Sequence, residues 1–329
     1  MKPVMVWNQD LYSGPLYYGA HIGTACIHNL PGVELDMIYW AEDSEPTTSM
    51  LAPYDTFFVN VFIGSRQVEQ IRALRPDAVI VAIAEAAMDE VFLNRNRGQE
   101  LRYLDQLAAA DFIGVVSKSN REFYSAFGKP IVSIPVPVGT EDFFAHVRNQ
   151  EKQDFILVAD HGPRNVDSTI PNMAALRLIL NRHPELKIVY FNPSPFAADY
   201  ARAFGLDVVF LTKMSPQVLA QAAGKARIGV DLYTRHGAGR HGMLMAYAGT
   251  PVVGSSWTGG VPFVKEDPWH VNRVAQEAHS LLTDTALYAS IQRQQLEWVQ
   301  THNSFAACAE QWQDTLFEVE RYSAGKVPA

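Results

Sequence analysis

Short runs of aliphatic and β-branched residues alternate with helical stretches along most of the 329-residue chain, and this order of elements limits the possible folds most. Continuous apolar strands separated by helices favour a parallel sheet that helices cover on both faces. The first series predicts strands at Val4–Asn8, Leu35–Trp40, Thr56–Ile63, Ala78–Ala84, Phe112–Ser117 and Ile131–Ile134. It predicts helices at Leu16–Leu30, Ser65–Leu74, Gln99–Ala109 and Asn120–Phe127.

The alternation stops and restarts near the middle of the chain. The proline-containing segment Ile134–Thr140 cannot continue a helix or a central strand, and the polar segment 148–154 follows it, which predicts a linker. A second series predicts strands at Phe155–Ala159, Lys187–Phe191, Asp207–Leu211, Arg227–Tyr233 and Pro251–Gly254, and helices at Ser168–Asn181, Phe196–Phe204, Pro216–Ala223 and Arg240–Ala248. Because single cores rarely grow beyond ~250–300 residues, the sequence predicts two consecutive doubly wound α/β domains.

The tail of the chain, Val274–Tyr322, reads as mostly helical. Its large apolar side chains should supply contacts to the rest of the protein, and they are Trp298, Phe305, Trp312 and Phe317.

The chain is acidic, with a formal net charge of −8. The first 150 residues carry 11 basic and 18 acidic residues, whereas the remainder carries 16 and 17. Because phosphate contacts dominate nucleic-acid affinity, this balance disfavours a general DNA or RNA binder. A local basic segment remains between Lys225 and Gly242, where four lysines and arginines accompany a single aspartate.

Several other classes of protein are disfavoured. The apolar run Ala78–Ala84 is far shorter than the roughly 20 residues of a membrane span, and the first residues lack a signal-peptide pattern. Two cysteines, Cys26 and Cys308, make no disulfide framework, so we expect a cytoplasmic protein. The histidines show no metal-ligand spacing, and the first β–α turn lacks the glycine fingerprint of dinucleotide oxidoreductases.

Doubly wound sheets bind ligands at the carboxyl ends of their strands, so the loops that follow strands are the candidate sites. The most informative loop runs from a predicted strand through a glycine-bearing turn into a helix. Free N–H groups at a helix N-terminus, together with nearby arginines, suit a diphosphate. The residues concerned are Gly237, Ala238, Gly239, Arg240, His241 and Gly242. The alternative is that Gly237 and Gly239 only make a tight strand-to-helix turn.

The next turn carries a more specific pattern. Gly249-Thr250-Pro251-Val252-Val253, followed by Gly259-Gly260-Val261-Pro262, resembles the C-terminal domain of retaining glycosyltransferases of the GT-B fold. The passage Ile134–Phe144 resembles the interdomain segment of that family, and 158–165 resembles the first loop of its donor domain. The resemblance covers about residues 110–264 in order and the rest of the chain only by architecture.

The resemblance implies two Rossmann-like domains that face a cleft. Residues 1–140 would form an acceptor-side domain, 141–304 a nucleotide-sugar donor domain, and 305–329 a helix that packs back towards the first domain. The implied activity is sugar transfer from a nucleotide sugar, retaining and metal-independent, with no cofactor beyond this co-substrate. Saccharides, lipid-linked intermediates, proteins and modified DNA bases are all possible acceptors, and the acidic composition disfavours DNA.

The resemblance also implies site residues. Arg164 and His161, in the first donor-domain loop, would contact the donor together with Gly259 and Gly260 after the later strand. Glu85, at the end of a first-domain strand, and His236 would be the catalytic residues. The loop after the first strand would approach the donor or the acceptor through Gly14, Pro15, Tyr18, Gly19 and His21. The alternatives are that Arg164 is an exposed loop arginine and that Glu85 caps the following segment.

The chain departs from the family at its two motif glutamates, which in that group have seven residues between them. Counting back from Gly249, their positions fall at His236 and Leu244, and neither is a carboxylate. The donor is therefore held differently, or the chain is a divergent or inactive member. Two rival functions remain open: an isomerase similar to sugar-nucleotide 2-epimerases, and a protein that binds a sugar nucleotide without turnover.

Overall fold

The first half of the chain forms a parallel sheet, seen in a computed structural model that describes residues 1–7, 24–40, 46–61, 65–84, 97–160, 166–212, 215–262 and 264–324. Its strands are β1 (Pro3–Trp7), β2 (Asp36–Tyr39), β3 (Thr56–Asn60), β4 (Val79–Ala84), β5 (Phe112–Val115) and β6 (Ile131–Ser133). They lie in the order β2-β1-β3-β4-β5-β6, and all neighbouring pairs are parallel. All six strands predicted for this half are present, in the predicted succession along the chain.

Helices connect these strands and cover the faces of the sheet. They are a 3₁₀ helix (Thr24–Asn29), α1 (Thr48–Leu51), α2 (Gln67–Leu74), α3 (Arg97–Ala109) and α4 (Lys118–Ser125). Strand β3 is buried at every position, with Phe57 and Val59 in one apolar core and Phe58 in the other. Side chains alternate between the faces of a strand, so this two-sided burial explains why the strand reads as a continuous apolar run.

The second half repeats the architecture. Its strands are β7 (Gln153–Ala159), β8 (Lys187–Phe191), β9 (Val208–Leu211), β10 (Ala226–Asp231), β11 (Val252–Ser255) and β12 (Lys265–Glu266). The parallel order is β12-β11-β10-β7-β8-β9. Two doubly wound sheets are therefore present, as the alternation predicts.

The connecting segment between the sheets contains a helix that the sequence analysis missed. Helix α5 (Glu141–Arg148) lies within the stretch that we expected to be a linker. Its Phe144 is fully buried and stacks on Tyr247, with ring centroids 4.3 Å apart. The segment is thus packed against the second domain.

The remaining helices cover the second sheet and form the tail. They are α6 (Val166–Leu180), α7 (Ala197–Ala203), α8 (Pro216–Lys225), α9 (Arg240–Tyr247), α10 (Val271–Thr283), α11 (Thr285–His302) and α12 (Phe305–Ala324). The tail is helical as predicted. Among the residues with described positions, no helix combines the length and the apolar character that a bilayer crossing needs.

The last helix, α12, returns to the first sheet. Trp312 is fully buried and lies against Phe58, with ring centroids 4.5 Å apart, and Thr315 Oγ1 donates to the Ser133 carbonyl at 2.7 Å. The predicted return of the C-terminal helix is confirmed. The expectation for Phe317 is wrong, because this side chain is 67% exposed. Five residues of helix rotate it about 140° away from Trp312.

The chain passes twice between the domains, and the two passages are hydrogen-bonded to each other. The Val138 N–H donates to the Asn303 carbonyl at 3.0 Å, and the Phe305 N–H donates to the Gly139 carbonyl at 3.2 Å. Asn303 Nδ2 also donates to the Val136 carbonyl at 3.0 Å. These bonds fix the start of α12 beside the first crossing.

We predict that Trp312→Ala lowers the free energy of unfolding by ~3–5 kcal/mol, because it removes a fully buried indole and leaves a cavity against Phe58. The measurement is urea denaturation followed by circular dichroism. Phe317→Ala, on the same helix but exposed, is the control and should change stability by less than ~0.5 kcal/mol. Equal effects of the two substitutions would contradict the packing of α12 on the first sheet.

Candidate functional site

The topology of the second sheet places a crevice between β7 and β10. From β7 the chain continues to β8 and β9 on one side of the sheet, whereas from β10 it continues to β11 and β12 on the other. The connections leaving the two adjacent strands therefore diverge at their carboxyl ends. Ligands of doubly wound sheets bind at such a switch point.

The turns after β10 and β11 are joined backbone to backbone beside this crevice. The Gly259 N–H donates to the Gly237 carbonyl at 2.7 Å. A Cβ on Gly260 would lie 3.0 Å from the Gly239 carbonyl oxygen, and one on Gly239 would lie 2.9 Å from Thr258 Oγ1. Gly239 also has a φ of +70°, a conformation that other residues rarely adopt. The structure thus brings together four of the five glycines that the sequence analysis assigned to the donor site: Gly237, Gly239, Gly259 and Gly260.

The first turn of α9 already holds a carboxylate of the protein. The Gly242 N–H donates to Asp231 Oδ2 at 2.8 Å, and a Cβ on Gly242 would lie 3.1 Å from the same oxygen. Asp231 is 97% buried, so the helix N-terminus stabilises its charge. Gly242 therefore has a structural role, and the half-buried Arg240 and His241 start the helix beside it.

A lysine lies close to this carboxylate. Lys265 Nζ donates to the Thr258 carbonyl at the turn after β11. Burial lowers the pKa of the Lys265 ammonium, and the charge of Asp231 opposes that shift. The lysine thereby ties β12 to the turn and partly balances the buried aspartate.

His236, one of the two predicted catalytic residues, has a defined orientation. Its ring stacks on Trp257, with centroids 5.5 Å apart and planes 10° from parallel. Both rings are half-buried. The stack connects the turn after β10 with the turn after β11, and it fixes the imidazole beside the glycine contacts.

Arg235, which follows β10, forms an ion pair with a residue of α6, the helix that follows β7. Its side chain is only 8% exposed, and Nη2 lies 3.2 Å from Asp167 Oδ2 in the first turn of α6. Within the described part of the chain, its Nε has no hydrogen-bond partner. The sequence analysis counted Arg235 among the arginines near the candidate diphosphate turn, and nothing local in the sequence indicates that it is buried.

A buried polar network lies at the end of β7. Asp160 Oδ2 accepts hydrogen bonds from Thr169 Oγ1 at 2.7 Å and from the Tyr190 hydroxyl at 3.1 Å. Burial raises the pKa of Tyr190 well above its usual value, and the nearby Asp160 charge adds to that shift. Tyr190 therefore stays a protonated donor, and the network joins β7, β8 and α6 below the crevice.

The first domain touches these turns. Asn120 Nδ2, on α4, donates to the His236 carbonyl at 3.4 Å. A Cβ on Gly259 would lie 2.6 Å from Ser117 Oγ, so the backbone at Gly259 lies directly against the start of α4. Sequence reasoning did not single out Asn120 or Trp257. The contact of Asn120 spans 116 residues, and no local pattern indicates it.

Many predicted site residues lie outside the described residues. They are Glu85, His161, Arg164, Gly14, Pro15, Tyr18, Gly19 and His21. Leu244, at the position of the family's second glutamate, is fully buried in the apolar core of the second domain and cannot contact a ribose. Across the described ranges, no group of three or more His, Cys, Asp or Glu side chains is arranged to hold a metal ion.

Comparison with known proteins identifies the fold. No family model and no curated protein matches the sequence. A solved trehalose-6-phosphate synthase superposes with a TM-score of 0.74 at 9% identity, over 98% of this chain and 99% of its own. A trehalose-6-phosphate protein from E. coli bound with UDP-2-fluoro glucose gives 0.67 at 11% identity, over 83% and 76%.

A third structure is similar to the same extent. It is a UDP-forming α,α-trehalose-phosphate synthase from Burkholderia xenovorans in complex with glucose-6-phosphate, with a TM-score of 0.68 at 10% identity, over 83% and 76%. At such identities the likeness shows the fold. The chain has the two-domain α/β architecture of GT-B glycosyltransferases.

We predict that Gly239→Ala destabilises the protein by ~1–2 kcal/mol or more, because its left-handed backbone conformation is strained for alanine and the new Cβ meets Thr258. Thermal denaturation measures the effect. Gly254→Ala is the matched control, since a Cβ there meets nothing within 4 Å. A melting temperature of Gly239→Ala equal to that of the control would show that the two turns are not packed as described.

Proposed function

We propose that this protein is a glycosyltransferase that transfers a sugar from a nucleotide sugar to a hydroxyl-bearing acceptor. The observation that carries the proposal is the pair of joined glycine turns at the switch point of the second sheet, facing α4 of the first domain. The fold supports it, because two similar structures are bound to UDP-2-fluoro glucose and to glucose-6-phosphate. The donor would occupy the second domain and the acceptor the first.

Catalysis in this proposal rests on charge stabilisation. Transfer of a sugar places negative charge on the leaving diphosphate, and preorganised donors stabilise such charge strongly. Arg240 at the start of α9, Arg164 in the segment that follows β7 in the sequence, and backbone N–H groups would supply this stabilisation without a metal ion. His161 and the glycines of the joined turns would complete the donor contacts.

Glu85 and His236 are our candidates for the groups beside the reacting sugar. Glu85 directly follows Ala84, the last residue of β4, and His236 lies beside the joined turns. The segment containing Gly14, Pro15, Tyr18, Gly19 and His21 follows β1 in the sequence and would contact the donor or the acceptor. We further propose a retaining outcome and a cytoplasmic location.

A second candidate is a protein that binds a sugar nucleotide without turnover. The observation in its favour concerns Leu244, which stands where the resemblance places the ribose-binding glutamate. This leucine has no carboxylate, and its side chain is buried in the core. An isomerase similar to sugar-nucleotide 2-epimerases is the other alternative. It would convert the nucleotide sugar with no acceptor present, whereas a binding protein would leave the nucleotide sugar intact.

Calorimetric titration with UDP, ADP, GDP and dTDP and with their hexose conjugates tests the proposal. We expect one nucleotide series to bind, and binding to persist in EDTA, because arginines and backbone N–H groups neutralise the diphosphate. Binding that disappears in EDTA and returns with Mg²⁺ would contradict the metal-free mechanism. The absence of binding in every series would contradict the proposed function itself.

Two substitutions should separate binding from turnover. Arg240→Ala removes a charged hydrogen bond and should weaken nucleoside-diphosphate binding by ~1.5–3 kcal/mol. Glu85→Gln keeps the size of the side chain and should leave that affinity nearly unchanged, while donor consumption falls by ~10²–10⁴-fold. An active wild type whose Glu85→Gln variant turns over at the same rate would remove Glu85 from the catalytic residues.

A further inference from the structure

A buried amide of the first domain contacts the turn after β10. Asn120 lies in the first turn of α4 and is only 1% exposed. Its Nδ2 donates to the His236 carbonyl, which belongs to the other domain. One half of the Asn120 side chain therefore holds the backbone that carries His236.

The oxygen atom of this amide, Asn120 Oδ1, can accept a hydrogen bond. Within the residues that the structure describes, the buried Asn120 Oδ1 accepts no hydrogen bond. Buried polar atoms are nearly always paired, because an unpaired acceptor loses its hydration without compensation. An unpaired acceptor at the boundary between the two domains therefore indicates a partner that is not part of the described chain.

The chemistry of the atom limits what this partner can be. An amide oxygen only accepts hydrogen bonds, so its ligand must carry an O–H or N–H donor. A diphosphate at neutral pH offers acceptors and cannot satisfy it. The hydroxyl groups of a sugar can, and the proposed reaction places a sugar between the donor diphosphate and the first domain.

Both domains contribute residues around Asn120. The second domain contributes the His236–Trp257 stack and the hydrogen-bonded backbones of Gly237 and Gly259, which carry no Cβ atoms. The first domain contributes Ser117, whose hydroxyl lies close to Gly259. Because the two sides belong to different domains, a sugar bound at Asn120 would contact both of them.

We propose that Asn120 is a specificity-determining residue, whose Oδ1 accepts a hydroxyl of the transferred sugar while its Nδ2 holds the His236 turn. This inference rests on the proposed function. It assigns recognition of the sugar to the first domain and recognition of the diphosphate to the second. The preference for a sugar nucleotide over the bare nucleotide then depends on Asn120.

Calorimetry of the full-length protein with UDP and UDP-glucose tests this assignment. Asn120→Leu removes both polar atoms at nearly constant volume, and Asn120→Ala is a second variant should leucine impair folding. We expect the Kd of UDP to stay within about twofold of wild type, because the diphosphate contacts lie on the other domain. The ratio of the UDP Kd to the UDP-glucose Kd should fall at least fivefold. Glu122→Ala, exposed on the same helix, is the control and should leave both values unchanged.

The outcomes distinguish this inference from the function on which it rests. An unchanged ratio in both Asn120 variants would overturn the sugar contact while leaving the proposed function in place. Equal weakening of UDP and UDP-glucose would also overturn it, since Asn120 would then only support the turn. If wild type binds neither compound, the corresponding ADP, GDP and dTDP pairs replace them in the same measurement. A wild type that binds no pair would overturn the proposed function and this assignment together.

Discussion

Close contact between two backbones determines the shape of the crevice in the second domain. The turns after β10 and β11 approach until the Gly259 N–H reaches the Gly237 carbonyl, and side chains at Gly239 or Gly260 would collide with the facing turn. Every other part of the site is positioned from this contact. The His236–Trp257 stack, the start of α9 and the meeting with α4 all follow from the path of these two turns.

The same region shows how a helix N-terminus can be used inside a protein. A glycine turn that leads into a helix indicates an anion site, and the first turn of α9 does bind an anion, the carboxylate of Asp231. Sequence pattern cannot separate an internal carboxylate from a ligand phosphate, since both accept the same N–H groups. The arginines therefore bear on the donor hypothesis more directly than the glycines do.

The positions of the strands along the sequence were predictable, because parallel strands that are covered on both faces are continuous apolar runs, as in β3 and β4. Helix α5 was not, because the prolines before it and the polar residues after it both indicate a linker. Its Phe144 becomes apolar core only when Tyr247 lies opposite. The burial of Arg235 and the contact of Asn120 with His236 depend on residues distant in sequence, which no local periodicity encodes.

The return of α12 to the first sheet sets an order of assembly. Met5, Phe58 and Ile134 share a core with Trp312, yet the whole second sheet lies between them in the chain. A ribosome therefore completes every strand of the second domain before it releases the helix that covers this face of the first. Until then the part of this apolar face that Trp312 covers stays open to water and to neighbouring chains.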